Sequence, residues 1–96
     1  MPTYVVLYRF TAQGRKNVKD SVKRAADIRK QNEALGFKVL GHYWTQGRYD
    51  LVAVVDAPSE EAMVAGLFGI AETGNVSSET LRAYTAEEMQ RILAKG

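Results

Sequence analysis

The chain has 96 residues, 46% of them hydrophobic, and carries a net charge of +2. That is room for one domain, residues 1–96, with a modest core that gains from a partner subunit. With no cysteine, no signal-peptide pattern in MPTYVVLYRF and no apolar run long enough to cross a bilayer, disulfide, thiol and membrane-spanning functions are excluded and a cytoplasmic protein is expected.

Residues 2–10, PTYVVLYRF, are rich in β-branched and aromatic side chains and predict a first strand. TAQG follows as a turn signal, with Thr11 placed to cap a short helical turn and a second helix start at Asp20 or Ser21. Val18, Val22, Ala25, Ala26 or Ile28, and Leu35 recur at helical spacing, and Gly36 stands where helices end. FKVLGHYWT predicts a second strand, Gln46-Gly47 a tight turn, and RYDLVAVVDA a third strand returning as a hairpin. Pro58 and Ser59 open another helix, whose Ala62, Gly66, Leu67, Ile70 and Ala71 make a narrow face able to lie close to a sheet, and Gly74 closes it. NVSSETLRAY is the fourth strand. TAEE, with Thr85 three residues before Glu88, is a capping box that starts a last helix with Met89, Ile92 and Leu93 on one side.

The order β-α-β-β-α-β plus a C-terminal helix predicts an α+β, ferredoxin-like antiparallel sheet with both main helices on one face. The other face would alternate to polar if it met water. The first and third strands are instead apolar on both sides at their centres, and eight of the nine aromatics fall within the four predicted strands. Such an uncovered surface marks an interface, so two subunits are expected to pack sheet against sheet as a dimeric α/β barrel. If the aliphatic sets lie under the helices, Tyr4, Tyr8, Phe10, His42, Trp44, Asp50, Thr80, Arg82 and Tyr84 belong to the interface side.

Charge is unevenly spread. Residues 1–48 hold ten Lys or Arg against three acids, and residues 49–96 hold three against eight. The basic excess lies mainly in RKNVKDSVKRAADIRK, without interleaved aromatics for stacking bases. It reads as the solvated side of a helix, and nucleic acid is not an expected partner.

His42 is the only histidine. It suits a general base, though HYW on a strand is more often packing, and one histidine without cysteine makes a poor metal site. Asp50 is the second candidate base; its plainer role is to cap the hairpin through backbone amides or pair with Arg48, Arg82 or Arg9. Arg9 and Arg82, in neighbouring strands, have the planar forks that bind carboxylate or phosphate, or they form structural ion pairs. Tyr8, Tyr43, Trp44 and Tyr49 line a flat pocket or pack an interface. AGLFG is not a phosphate loop, no GxSxG nucleophile motif occurs, and no cofactor is implied.

TYVVLYRFTAQGRKNVKDS, GHYWTQGRYDLVAVVDAP and GNVSSETLRAYT resemble the GYD domain family, whose Gly-Tyr-Asp motif stands here as Gly47, Arg48, Tyr49 and Asp50. The resemblance implies a prokaryotic ferredoxin-like oligomer with no assigned activity. Val22 stands where the family pattern leads one to expect proline after the serine of KDS, so that helix start is less sharply set. Gly47, Tyr49, Asp50, Gly74, Val76 and Thr80 or Thr85 are also similar, more weakly, to the effector-sensing domain of the feast/famine (Lrp/AsnC) regulators, which bind amino acids between subunits. The expected function is a homo-oligomeric small-molecule-binding or sensing domain with its ligand at a subunit interface. The ligand-contacting candidates are Tyr8, Arg9, His42, Trp44, Tyr49, Asp50 and Arg82. The alternatives are a cofactor-independent monooxygenase- or isomerase-like enzyme using His42 and Asp50 in a barrel cleft, and a purely structural or interaction module.

Overall fold

Strand β1 (Thr3–Phe10) lies inside a four-stranded antiparallel sheet of order β2-β3-β1-β4 in the computed structural model, which describes residues 1–96. The other strands are β2 (Lys38–Trp44), β3 (Leu51–Asp56) and β4 (Val76–Ala83). Helix α1 (Ala12–Lys16) and a 3-10 turn (Val18–Asp20) lead into α2 (Ser21–Ala34), which connects β1 to β2; α3 (Glu60–Glu72) connects β3 to β4, and α4 (Ala86–Lys95) follows β4. This is the ferredoxin-like arrangement predicted from the element order.

Each helix start has a local cause. Thr11 accepts from the Gly14 N–H at 3.1 Å, and Ser59 accepts from the Ala62 N–H at 3.1 Å. Glu60 and Glu61 then place negative charge in the first turn of α3, where the helix dipole favours it. At α4 the Thr85 hydroxyl accepts from the Glu88 N–H while the Glu88 carboxylate accepts from the Thr85 N–H, a complete capping box. That bond lowers the Glu88 pKa. The helix ends turn through Gly36 and Gly74, at φ +95° and +75°.

Register settles which side faces the helices, and it reverses the sequence-based assignment for the residues of β1, β2 and β4. Tyr4, Val6 and Tyr8 pair with Val55, Ala53 and Leu51, and across β1 with Arg82, Thr80 and Ser78. His42 and Trp44 pair with Ala53 and Leu51. This set lies under the helices: the core is Tyr4, Val6, Phe37, Ala53, Val55, Ala57 and Met63, with Tyr8 and Leu67 packed against it. The Trp44 indole N–H donates to Ser21 Oγ of α2 at 3.2 Å. Tyr4, Tyr8, Phe10, His42, Trp44, Thr80 and Arg82 therefore lie on the helix side. The cause is volume: helices with small faces, such as Ala62 and Gly66, need large sheet side chains to fill the layer beneath them. A Cβ on Gly66 would lie 3.7 Å from the Phe37 ring.

The open face carries the aliphatic set, Val5, Leu7, Val52, Val54 and Leu81, together with Tyr43. Only ten residues of the chain are buried, so these side chains stand half or fully exposed. On α2, Ser21 is buried and Ala25 and Ile28 half-buried, whereas Val18, Val22 and Leu35 of the predicted stripe point to solvent. The helix begins after a 3-10 turn, which breaks the phase of the periodicity. Ala71 of α3 is likewise exposed, and the unpredicted Met63 takes the buried place.

Candidate functional site

The GRYD segment is a clamp between strands. Gly47 has φ +99°, a left-handed conformation that favours glycine, but the connection runs from Thr45 to Asp50 and β3 begins only at Leu51. The Thr45 N–H donates to the Asp50 carbonyl at 2.8 Å, and the Asp50 N–H to the Tyr8 carbonyl at 2.8 Å. The Asp50 carboxylate accepts the Phe10 N–H through Oδ2, also at 2.8 Å. It thus completes the β1–β3 ladder one residue beyond the regular pairing.

Tyr49 reaches across the sheet. Its hydroxyl donates to Glu79 of β4, and the Arg9 guanidinium lies 5.1 Å from its ring. Glu79 pairs with Leu7 across the sheet, on the open face. The Glu79 bond raises the Tyr49 pKa. One motif therefore ties the β2–β3 connection to β1 and β4.

Arg82 lies at the far end of the sheet from Arg9: it pairs with Tyr4, whereas Arg9 pairs with Ser77. One Arg82 Nη1 donates to the Thr3 carbonyl at 3.1 Å and also to the Ala83 carbonyl, and the guanidinium lies 4.6 Å from the Tyr84 ring. The two arginines lie on opposite faces and form no joint fork.

His42 stacks on Trp44, ring centroids 4.8 Å apart. Burial first, and the Arg29 charge second, hold its pKa below the usual 6.5, so the neutral ring is favoured. It lines the sheet side of a cavity of about 350 Å³ beneath α2, with Tyr8, Leu51, Ala53 and Val55. Burial pushes the Tyr8 hydroxyl up to about 12. The structure brings Tyr8 and His42 together at this cavity, while Asp50, committed to the Phe10 N–H, is not among its lining residues. Ala25 and Ile28 of the predicted helix stripe form the α2 wall, and sequence reasoning missed Arg24 and Arg29 beside them. The 3.6-residue spacing of Arg24, Ile28 and Gln31 was available as a signal, but the basic run masked it as a solvated face.

These features define a ferredoxin-like α+β domain with an uncovered apolar sheet face. The chain belongs to the GYD domain family, whose pattern matches residues 4–93. It is 28% identical over 93% of its length, and 95% of the other's, to a protein of Thermus thermophilus named glutamine synthetase and cystathionine beta-lyase binding protein. Among solved structures, FFRP-DM1 superposes with a TM-score of 0.60 at 17% identity, over 88% of this chain and 100% of that one. The likeness to FFRP-DM1 is one of fold.

Proposed function

We propose that this chain is a homo-oligomeric binding protein that assembles through its open sheet face and docks onto a metabolic enzyme. The observation that carries the reading is the uncovered face itself: Val5, Leu7, Val52, Val54 and Leu81 form a continuous apolar surface at the centre of the sheet. Monomers rarely leave such a surface bare. Helix α4 adds a second apolar side, with Ile92 and Leu93 44% and 70% exposed. The relative named as a binding protein for two enzymes supports an enzyme as the target, and such a target fits a cytoplasmic location. The catalytic reading that joined His42 to Asp50 draws no support from geometry, because Asp50 is held by a backbone amide and is not among the residues lining the cavity that His42 faces. Of the ligand candidates, Arg9 and Tyr49 border the open face, so a ligand held between subunits would meet that pair.

The test is sedimentation of the purified protein with glutamine synthetase, and separately with cystathionine β-lyase, from its own source. Co-sedimentation at defined stoichiometry and micromolar concentration supports the reading. Independent migration with both enzymes removes the enzyme-docking half of it.

A further inference from the structure

We propose that the cavity between α2 and the sheet is a binding site for a small monocarboxylate with an apolar body. The inference does not rest on the enzyme-docking reading. About 350 Å³ is at the small end of the range for ligand sites. The sheet supplies apolar walls from Val39, Leu51, Ala53 and Val55, and α2 supplies Ala25 and Ile28. That is a lining for an aliphatic or aromatic body.

The polar groups fix the charge of the ligand. Arg24 and Arg29 line the α2 side with Asp27, and Glu33 pairs with Arg29, so it is the unused guanidinium donors and not a net charge that select an anionic group. Arg24 donates from Nη1 to the Asn17 carbonyl at 2.8 Å, and Arg29 from Nε to Glu33 at 2.9 Å. Each guanidinium is thereby oriented and still has donors to spare, since the group carries five. A carboxylate is the anion whose geometry a guanidinium fork matches. On the sheet side, Tyr8 keeps its proton at neutral pH and remains a donor.

Access and consequence follow from how the helices sit. A groove of about 500 Å³ runs between α2 and α3, and shares Ile28, Gln31, Asn32, Ile70 and Thr73 with the cavity. Among the other elements, α2 packs mainly on β2 and the preceding 3-10 turn. A ligand bridging Arg24 or Arg29 to the sheet would staple α2 down. Occupancy would therefore protect the α2 amides.

The experiment is isothermal titration of the full chain with phenylacetate as probe, against phenylacetamide and benzylamine as neutral and cationic matches. The expected result is saturable phenylacetate binding, weaker for the amide by about tenfold or more, with no binding of the amine. Arg24→Gln combined with Arg29→Gln is expected to lose the preference for the acid over the amide. Ala25→Phe, which fills the cavity, is expected to abolish binding. If that variant fails to fold, the arginine variant decides. Absence of phenylacetate binding at about 10 mM, equal binding of all three probes, or an acid preference that survives loss of both arginines would overturn the proposal.

Discussion

Asp50 shows how one carboxylate can be read in two ways until its partner is known. Its Oδ2 takes the Phe10 N–H, a backbone donor that the β1–β3 ladder no longer reaches. Asp50→Ala leaves that donor without its acceptor and is expected to cost about 1–3 kcal/mol in urea unfolding. Asp50→Asn keeps an oxygen there and is expected to recover part of the loss. A wild-type midpoint for Asp50→Ala would show that the bond contributes nothing to stability.

His42 gives a pH signature at the same scale. Its folded pKa is depressed, so the unfolded state binds the proton more readily. The contribution to stability is full above the unfolded value, about 6.5, and is lost as pH falls through the folded value. An NMR titration of the ring should give a midpoint below 6.5, and a midpoint above it would contradict the burial against α2. The sequence made the chemistry of both residues legible but not their partners: the Phe10 amide is forty positions away from Asp50.

Among the elements, α1 is the tightest joint. Thr11 donates its N–H to the Asn75 carbonyl at 3.0 Å and its hydroxyl to the Gly74 carbonyl at 2.6 Å. A Cβ on Gly14 would fall 2.0 Å from the Asn75 oxygen. Gly14→Ala must push β4's entry away from β1 and is expected to cost about 1–3 kcal/mol in chemical unfolding. An unchanged midpoint would mean that this contact is loose. Thr85→Ala removes a capping-box partner, normally worth about 1 kcal/mol. Because α4 packs little on the rest of the chain, the loss should appear as faster amide exchange confined to α4, with the global midpoint nearly unmoved.

Elements with strong local chemistry were readable: the capping box, Ser59 as cap, Gly36 and Gly74 as stops, and the strand order that follows from the connections. The facing of β1 was not, because alternation carries no information in a strand that is apolar on both sides. Tyr4 and Tyr8 under the helices become intelligible only in the folded layer, where Tyr4 joins the buried cluster and Tyr8 and Ala62 pack against it. The cavity was hidden for a related reason: it lies between a basic helix and an apolar sheet, which only tertiary structure brings together.

At the scale of the whole molecule, ten buried residues among 96 make a thin core, and the thinness is one-sided. The helices cover one face while Leu7 and Val54 stand half-exposed at the centre of the other. Pairing two such faces would bury both without disturbing either helix layer, in the manner of packed sheets about 10 Å apart. A charge placed there should break assembly and spare the fold, since the side chain points away from the monomer's own core. The direct measurement is light scattering after size exclusion at micromolar concentration, on the wild type and on Val54→Asp. The account predicts a wild-type mass at least twice the 10.7 kDa of one chain, and a folded Val54→Asp at 10.7 kDa. A monodisperse wild-type monomer of 10.7 kDa would contradict it.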